Sequence, residues 1–290
     1  FEEAAIIRDK EKKLKKKLND AQNSWQKEDE KMLIEIDNAK IEHIVSSMTG
    51  IPVSKVAESE KNKILNLDKE LNNVVIGQEQ AIKSISNAIK RSRAGLKNPN
   101  RPIGVFLFLG PTGVGKTQSA KSLAKYLSPN TNSLVRIDMS EFSERFSLSR
   151  LIGSPPGYVG YDEGGELTEK VRRNPYSVVL FDEIEKGHQD IYNILLQVFD
   201  EGILTDGLGR QVDFKNTILI MTSNIGTKNL GKNSFGFYKD NKIEKQDKIE
   251  KNILLSVKNI FSPELLNRLD EVIVFNSLAK KDIYKIIDMQ

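Results

Sequence analysis

The sequence has no cysteine and only two histidines among its 290 residues. Without thiols it forms no disulfide and no thiolate metal site, and two histidines are too few for a zinc site made of protein ligands alone. Absence of cysteine is typical of a reducing compartment, so we expect a cytoplasmic protein. No apolar run is long enough to cross a bilayer, so we expect no membrane partner.

Charge is abundant, but its pattern does not favour nucleic acid. The chain carries 44 Lys and Arg residues against 40 Asp and Glu residues, a net charge of +4. A dense group of lysines lies between Lys10 and Lys17, interleaved with Leu14 and Leu18, as on a solvated helix face. No aromatic side chains that could stack on bases accompany it. We therefore expect no nucleic-acid partner.

The first forty residues predict a helical arm. Their apolar residues recur at helical spacing among dense charges, namely Ala4, Ile7, Leu14, Leu18, Ala21 and Trp25. This pattern is typical of a long exposed helix or helical hairpin of the kind that docks a partner. We place the arm at 1–40, connector helices at 41–75, the main domain at 76–275 and the start of a helical lid at 276–290. Because the chain lacks an initial methionine and stops within a helical pattern, we expect a fragment truncated at both ends.

The main domain is predicted to be an α/β domain, a parallel sheet flanked by helices. Short apolar runs are typical of strands buried on both faces, and five occur, at Gly104–Leu109, Leu134–Ile137, Ser177–Phe181, Thr217–Met221 and Val272–Phe275. Helical patterns lie between them, for example at Gln118–Leu127 and Asp190–Phe199. The polar, lysine-rich run Lys228–Lys251 predicts a mobile excursion.

A phosphate-binding motif follows the first strand. The segment Gly110-Pro111-Thr112-Gly113-Val114-Gly115-Lys116-Thr117 fits G-x-x-x-x-G-K-T between a strand and a helix. The glycines let backbone N–H groups wrap the phosphates, which the helix N-terminus also attracts. Lys116 is expected to reach the β- and γ-phosphates and Thr117 to ligate Mg²⁺. The motif therefore predicts ATP and Mg²⁺ as ligands, and a chance glycine loop is the alternative.

An acidic pair ends the strand that begins at Ser177. The apolar run before it places Asp182 at the carboxyl end of a buried strand, where ligands bind in open α/β sheets. Asp182 is expected to hold Mg²⁺, and Glu183 to polarise the attacking water. By itself such a pair is more often a helix N-cap, but together with a P-loop in one sheet it predicts ATP hydrolysis.

Several longer segments carry a family resemblance. They are Arg101-Pro102-Ile103-Gly104, Arg136-Ile137-Asp138-Met139-Ser140-Glu141, Gly153-Ser154-Pro155-Pro156-Gly157-Tyr158-Val159-Gly160-Tyr161, Phe181-Asp182-Glu183-Ile184-Glu185-Lys186 and Asn267-Arg268-Leu269-Asp270. With these, the sequence resembles the AAA+ ATPases, and more narrowly the second ATPase domain of Clp-type unfoldases. The resemblance runs from about Thr49 to the end of the chain.

The resemblance implies roles around the nucleotide. Thr222-Ser223-Asn224, at a strand end, resembles the sensor that orients the lytic water, and Asn224 is its candidate catalytic residue. Arg268 resembles the arginine finger that reaches the nucleotide of a neighbouring subunit; a surface salt bridge is its alternative. Val75, Ile76 and Gly77 resemble the segment that packs on adenine.

It also implies a substrate-gripping loop. Gly157-Tyr158-Val159-Gly160 resembles the pore loop of these machines, in which Tyr158 and Val159 grip an unfolded chain. A tight turn around a packed tyrosine is the alternative. Asp206–Arg210 is a second glycine loop that is a candidate to face the pore.

The flanking segments narrow the resemblance to the ClpC branch. The first nine residues are similar to its UVR-type helical hairpin. The segment Phe235-Gly236-Phe237 resembles the loop that docks the ClpP peptidase, although Phe235 stands where an aliphatic residue is usual. The implied function is a homo-hexamer that threads unfolded or tagged proteins to ClpP, with adaptor proteins.

Three alternatives stay open at this point. The first is a ClpB-like disaggregase without a peptidase. A nucleic-acid motor predicts a basic pore lining, whereas this chain has Tyr158 between glycines. A catalytically silent scaffold conflicts with the intact Lys116, Asp182, Glu183 and Arg268.

Overall fold

A computed structural model describes residues 2–31, 40–41, 44, 47–48, 56–127, 133–144, 146–155, 157, 164–225 and 252–289. The chain divides into two compact units, 1–54 and 55–290. In the first unit, helix α1 spans Glu2–Lys31. Its residues 10–23 are all exposed, including Leu14 and Leu18. A single long helix is one of the two predicted forms of the arm. The domain boundaries at residues 40, 75 and 275 stay a prediction.

The second unit alternates helices and strands. Its helices are α2 (Val56–Val74), α3 (Glu79–Arg91), α4 (Lys116–Leu127), α5 (Ser147–Ile152), α6 (Glu166–Arg173), α7 (Gln189–Glu201), α8 (252–258), α9 (Pro263–Arg268) and α10 (Lys280–Met289). Its strands are β1 (Gly104–Leu109), β2 (Leu134–Asp138), β3 (Val178–Asp182), β4 (Ile203–Thr205), β5 (Gln211–Asp213), β6 (Ile218–Ser223) and β7 (Glu271–Val274). A π-helical turn, Ser92–Leu96, follows α3. Short 3₁₀ turns at Met139–Phe142 and Ile184–Lys186 follow β2 and β3. Of the helices in these described stretches, none is long and apolar enough to span a membrane.

Five strands form one parallel sheet in the order β2-β3-β6-β1-β7. Every residue of β1, β3 and β6 is buried, because helices cover both faces of the sheet. All five predicted strands are confirmed. The antiparallel hairpin of β4 and β5 was not predicted, since strands of three residues are too short to show a period.

Side chains of β1 point alternately to the two faces of the sheet and belong to two hydrophobic cores. Val105, Leu107 and Leu109 pack on one face of the sheet, in a core that includes residues of α6 and α7. Phe106 and Phe108 point to the other face, in a core with residues of α2, α3 and α4. Because successive strand residues face opposite sides, one short run anchors both layers. Each such fully buried side chain contributes roughly 1.5–3 kcal/mol to folding.

This topology decides where a ligand can bind. The strands are parallel, so β1, β3 and β6 end at one edge of the sheet. Ligands of open α/β sheets bind outside this carboxyl edge. The P-loop follows β1, Asn224 follows β6 and Asp182 is the last residue of β3, so the three meet there. Segments that precede β1 and β7 lie at the opposite, amino edge.

Candidate nucleotide site

The P-loop forms an open cradle at the end of β1. Gly113 has φ +83°, and no heavy atom lies within 4 Å of the position that its Cβ would take. Lys116, the first residue of α4, donates from Nζ to the carbonyl oxygens of Gly110 at 2.6 Å and Pro111 at 2.8 Å. The ammonium group therefore lies over the loop. An open glycine turn, a helix N-terminus and a lysine together fit a bound phosphate chain.

Lys116 is a buried cation surrounded by acidic groups. Its residue is only 8% exposed. Burial lowers the pKa of its ammonium group, while the negative charges of Glu185, Asp182 and Glu183 act to raise it. These carboxylates thus help to keep Lys116 charged in a site that is shielded from water.

Asp182 is held from both sides at the end of β3. Its Oδ1 accepts a hydrogen bond from Thr222 Oγ1 at 2.6 Å. Its Oδ2 accepts from Arg136, with Nη2 at 2.7 Å and Nε at 3.1 Å. The carboxylate oxygens of Asp182 and the hydroxyl of Thr117 in the first turn of α4 are hard oxygen ligands, which suit Mg²⁺. The residues present therefore fit a magnesium ion bound together with ATP.

Glu183 has a strained backbone and faces the P-loop lysine through Asn224. With φ 54°, it is the one non-glycine residue of the described chain that has a positive φ. Such a conformation costs about 1–3 kcal/mol and needs support from its surroundings. Asn224 donates from Nδ2 to Glu183 Oε1 at 3.3 Å and accepts from Lys116 Nζ at 2.8 Å. Glu183, Asn224 and Lys116 thus form one hydrogen-bonded line across the site.

Arg136, Thr222 and Glu185 also contact residues of the site. Sequence reasoning assigned no separate role to Arg136 or Glu185, and it included Thr222 only as part of the sensor segment Thr222-Ser223-Asn224. Glu185 Oε1 accepts the backbone N–H of Asn224 at 3.0 Å, and its Oε2 is buried without a hydrogen-bond partner. Burial and the charge of Glu185 raise the pKa of Tyr192 to about 12, so this phenol stays neutral. The three residues lie within the quoted motif segments, which is the one signal that could have indicated them.

The segment before α3 lies against the P-loop. A Cβ on Gly115 would lie 3.6 Å from Val75 Cγ1. The buried Gln78 donates from Nε2 to the carbonyl oxygens of Val114 at 3.1 Å and Asn276 at 2.8 Å. Val75 therefore lies next to the phosphate cradle, and the adenine-binding role of Val75 and Ile76 stays a prediction.

Arg268 lies at the opposite edge of the sheet. Its carbonyl oxygen accepts from Arg101 Nη2 at 2.6 Å, before the amino end of β1. The length of β1, about 17 Å at the usual rise per residue, separates this point from the P-loop. Its guanidinium pairs with Asp200, Nε to Oδ2 at 3.1 Å, in an ion pair that is partly exposed. The structure thus places Arg268 away from the nucleotide site of its own chain.

Backbone contacts join the two predicted glycine loops at their base. A Cβ on Gly165 would lie 2.3 Å from the carbonyl carbon of Ile152, and one on Gly207 would lie 2.6 Å from the carbonyl oxygen of Gly153. Gly207 N also donates to Ile152 O at 2.9 Å, and Gly153 pairs with Gly164 in a β-bridge. The two loops therefore share one backbone-packed base.

Some predicted residues cannot be placed. Tyr158 and Val159 lie outside the described residues, as do Phe235, Gly236, Phe237 and the predicted excursion at 228–251. Their roles stay predictions.

The geometry brings a phosphate cradle, a carboxylate suited to Mg²⁺ and a candidate base to one sheet edge, which is the arrangement of a P-loop ATPase. A family model for the AAA domain (Cdc48 subfamily) matches residues 101–272, more than half of the chain. The protein therefore belongs to this family. The predicted resemblance to AAA+ ATPases is confirmed.

Individual relatives agree with this assignment. The chain is 51% identical over its whole length to the negative regulator of genetic competence ClpC/MecB of Bacillus subtilis, and equally to the ATP-dependent Clp protease ATP-binding subunit ClpC of Staphylococcus aureus. It spans 36% of the length of each.

Solved structures of an Hsp104 protein are also similar to this chain. A closed-state cryo-EM reconstruction of Hsp104 with ATPγS and FITC casein, and an extended Hsp104–casein complex from S. cerevisiae, are 41% identical to the chain, with a TM-score of 0.74. Each match covers 88% of this chain and 42% of the other.

Proposed function

We propose that this ATPase module drives the threading of protein chains through the pore of a homo-hexamer and delivers them to a ClpP peptidase. The observation that carries the proposal is the line Glu183–Asn224–Lys116 at the P-loop edge. This line is the basis for proposing ATP hydrolysis. The similarity to ClpC is the basis for proposing that hydrolysis drives the threading of proteins. We also propose the cytoplasm as its location.

The chain's own residues divide the chemistry between them. Lys116 and the P-loop N–H groups bind the phosphates, and the same lysine orients Asn224 through their hydrogen bond. Glu183 accepts the proton of the attacking water, and Asn224 holds its carboxylate in place. Thr117 and Asp182 would hold Mg²⁺, which neutralises phosphate charge when bound. Val75 and Ile76 contact the adenine.

Arg268 completes the site from a neighbouring subunit. Its position at the amino edge of the sheet keeps it from its own nucleotide but leaves it on the surface, partly exposed. A guanidinium that reaches across a subunit boundary would offset the charge that develops on the transferred phosphoryl group. Hydrolysis then depends on assembly into a ring.

A disaggregase that works without a peptidase is the second candidate function. The likeness to Hsp104, solved in complex with casein, favours it. The two candidates differ in whether ClpP is a partner, for which Phe235, Gly236 and Phe237 are the proposed docking residues. The experiment that separates them is to ask whether the full-length protein stimulates ClpP to degrade a folded substrate. Adaptor proteins are proposed partners in either case.

We expect Tyr158→Ala to uncouple hydrolysis from threading. Truncation removes the aromatic contact area that is proposed to grip a polypeptide, and it leaves both flanking glycines in the sequence. ATPase activity should stay within a few-fold of the parent, whereas unfolding of a substrate is largely lost. The measurement is the loss of fluorescence from a tagged, stably folded reporter in the presence of ATP and ClpP.

Tyr158→Phe is the matched control, because it keeps the apolar area and loses only the hydroxyl. It should keep most of the threading activity. If Tyr158→Ala unfolded the reporter as fast as the parent, the pore-loop assignment would be wrong and a packed turn would be the better interpretation.

A further inference from the structure

A buried hydroxyl lies between the two acidic residues of the site. Thr222, near the end of β6, is 1% exposed. Its Oγ1 donates to Asp182 Oδ1 at 2.6 Å and accepts the backbone N–H of Glu183 at 3.1 Å. One oxygen atom thus bridges a magnesium-binding side chain and the backbone of the candidate base.

The donor and the acceptor in each of these two hydrogen bonds follow from the chemistry of the groups. A carboxylate oxygen can only accept and a backbone N–H can only donate, so the single hydroxyl proton must point to Asp182. The remaining lone pairs of Oγ1 then face the N–H of Glu183. Both bonds are made at once without competition, and Thr222 itself is buried.

The bridge also lies where the backbone is strained. Glu183 leaves β3 in the left-handed region, with φ 54° and ψ 53°. The pairing of β3 with β6 ends at Phe181 and Met221, and the pairing of β3 with β2 ends at Asp182, so Glu183 lies beyond both. At Glu183, the contact with β6 is made by the Thr222 hydroxyl, which accepts the backbone N–H of Glu183. It connects β6 to the turn that aims the Glu183 side chain at Asn224.

We propose that Thr222 is a positioning residue for ATP hydrolysis. It acts by locking the left-handed backbone of Glu183 and the rotamer of Asp182 in one hydrogen-bonded unit. It does not bind phosphate itself, since its hydroxyl is committed to these two partners. Asn224 keeps its separate role beside the water, two residues further along the chain.

The test compares Thr222→Val with Thr222→Ser in the full-length protein. Valine keeps the shape of the side chain but cannot make either bond, whereas serine can make both. Loss of a residue that orients the groups around a metal typically costs 10- to 100-fold in activity, so we expect kcat to fall by about that factor in the valine variant. Serine should restore kcat to within a few-fold of the parent.

Two further measurements separate positioning from binding and from folding. Affinity for a fluorescent ATP analogue without Mg²⁺ should be unchanged in both variants, because the P-loop is intact. Hydrogen exchange at the Glu183 amide, followed by mass spectrometry on peptides across this turn, should be faster in the valine variant and near parental in the serine variant.

Thr217→Val is the matched control. Thr217 immediately precedes β6, is fully buried, and donates from Oγ1 to Phe214 O at 2.7 Å. Its replacement removes the same kind of buried hydrogen bond at the far end of the strand. It should lower the melting temperature at least as much as Thr222→Val, with kcat and Glu183 exchange unchanged.

Two results would overturn the proposal. One is a valine variant with parental kcat or parental exchange at Glu183. The other is a Thr217→Val control that loses kcat to the same extent. Should Thr222→Val fail to fold, Thr222→Ala takes its place, since it removes the hydroxyl without setting a methyl group against the Asp182 carboxylate. The same outcomes then decide the question, and none of them depends on threading.

Discussion

A Glu183→Gln variant is expected to bind ATP with parental affinity and to hydrolyse it about 10²- to 10⁴-fold more slowly at this site. Glutamine has the size of glutamate, and its carbonyl oxygen can still accept from Asn224 Nδ2. The P-loop contacts of Lys116 do not involve Glu183, so binding is retained. What is lost is the negative oxygen that accepts a proton from water.

The measurements are titration with a fluorescent nucleotide and the rate of phosphate release. They need the full-length protein with any other ATPase module inactivated, so that the remaining rate belongs to this site. Lys116→Ala is the contrasting variant and should weaken nucleotide binding itself. If Glu183→Gln released phosphate at the parental rate, Glu183 would not be the base.

Removal of the Arg268 side chain is expected to lower turnover by on the order of 10³-fold or more with little change in nucleotide affinity. Among the described residues, the Arg268 side chain makes a partly exposed ion pair with Asp200, and such pairs contribute little to stability. A large loss of turnover without a loss of folding would therefore have to come from another subunit. Arg91→Ala is the matched control, since Arg91 is an exposed arginine paired with Glu271 at 3.0 Å.

Mixed hexamers test the direction of the contact. A subunit with Arg268→Ala keeps its Glu183, and a subunit with Glu183→Gln keeps its Arg268. When the two alternate in a ring, some interfaces hold both intact groups, so part of the activity should return. Well-mixed rings that show no recovery would contradict action across the subunit boundary.

Much of the fold is predictable because its signals are local. A strand covered on both faces has to be apolar at every position, and β1, β3 and β6 satisfy this requirement. The P-loop and the acidic pair are equally local, since a strand end and a few consecutive residues define each. Parallel strands then bring such motifs together without further information.

The unpredicted part of the site consists of contacts between distant segments. Thr222 and Asp182 are 40 positions apart, and Gln78 and Asn276 are 198 apart. No period or spacing links the two members of such a pair; only strand order and side-chain rotamers do. The left-handed turn at Glu183 is likewise invisible in sequence, because the residue is not a glycine.

The backbone contacts at the base of the two glycine loops bear on how this chain can vary. Gly165 and Gly207 lie so close to the Ile152–Gly153 backbone that even a methyl group would displace the main chain. Gly209, in the same turn as Gly207, has open space around it and needs glycine only for its φ of +79°. Asparagine tolerates such a backbone, so a saturation library should accept it at 209 and reject every replacement at 165 and 207. Mutational tolerance would then be lowest at the base that the loops share.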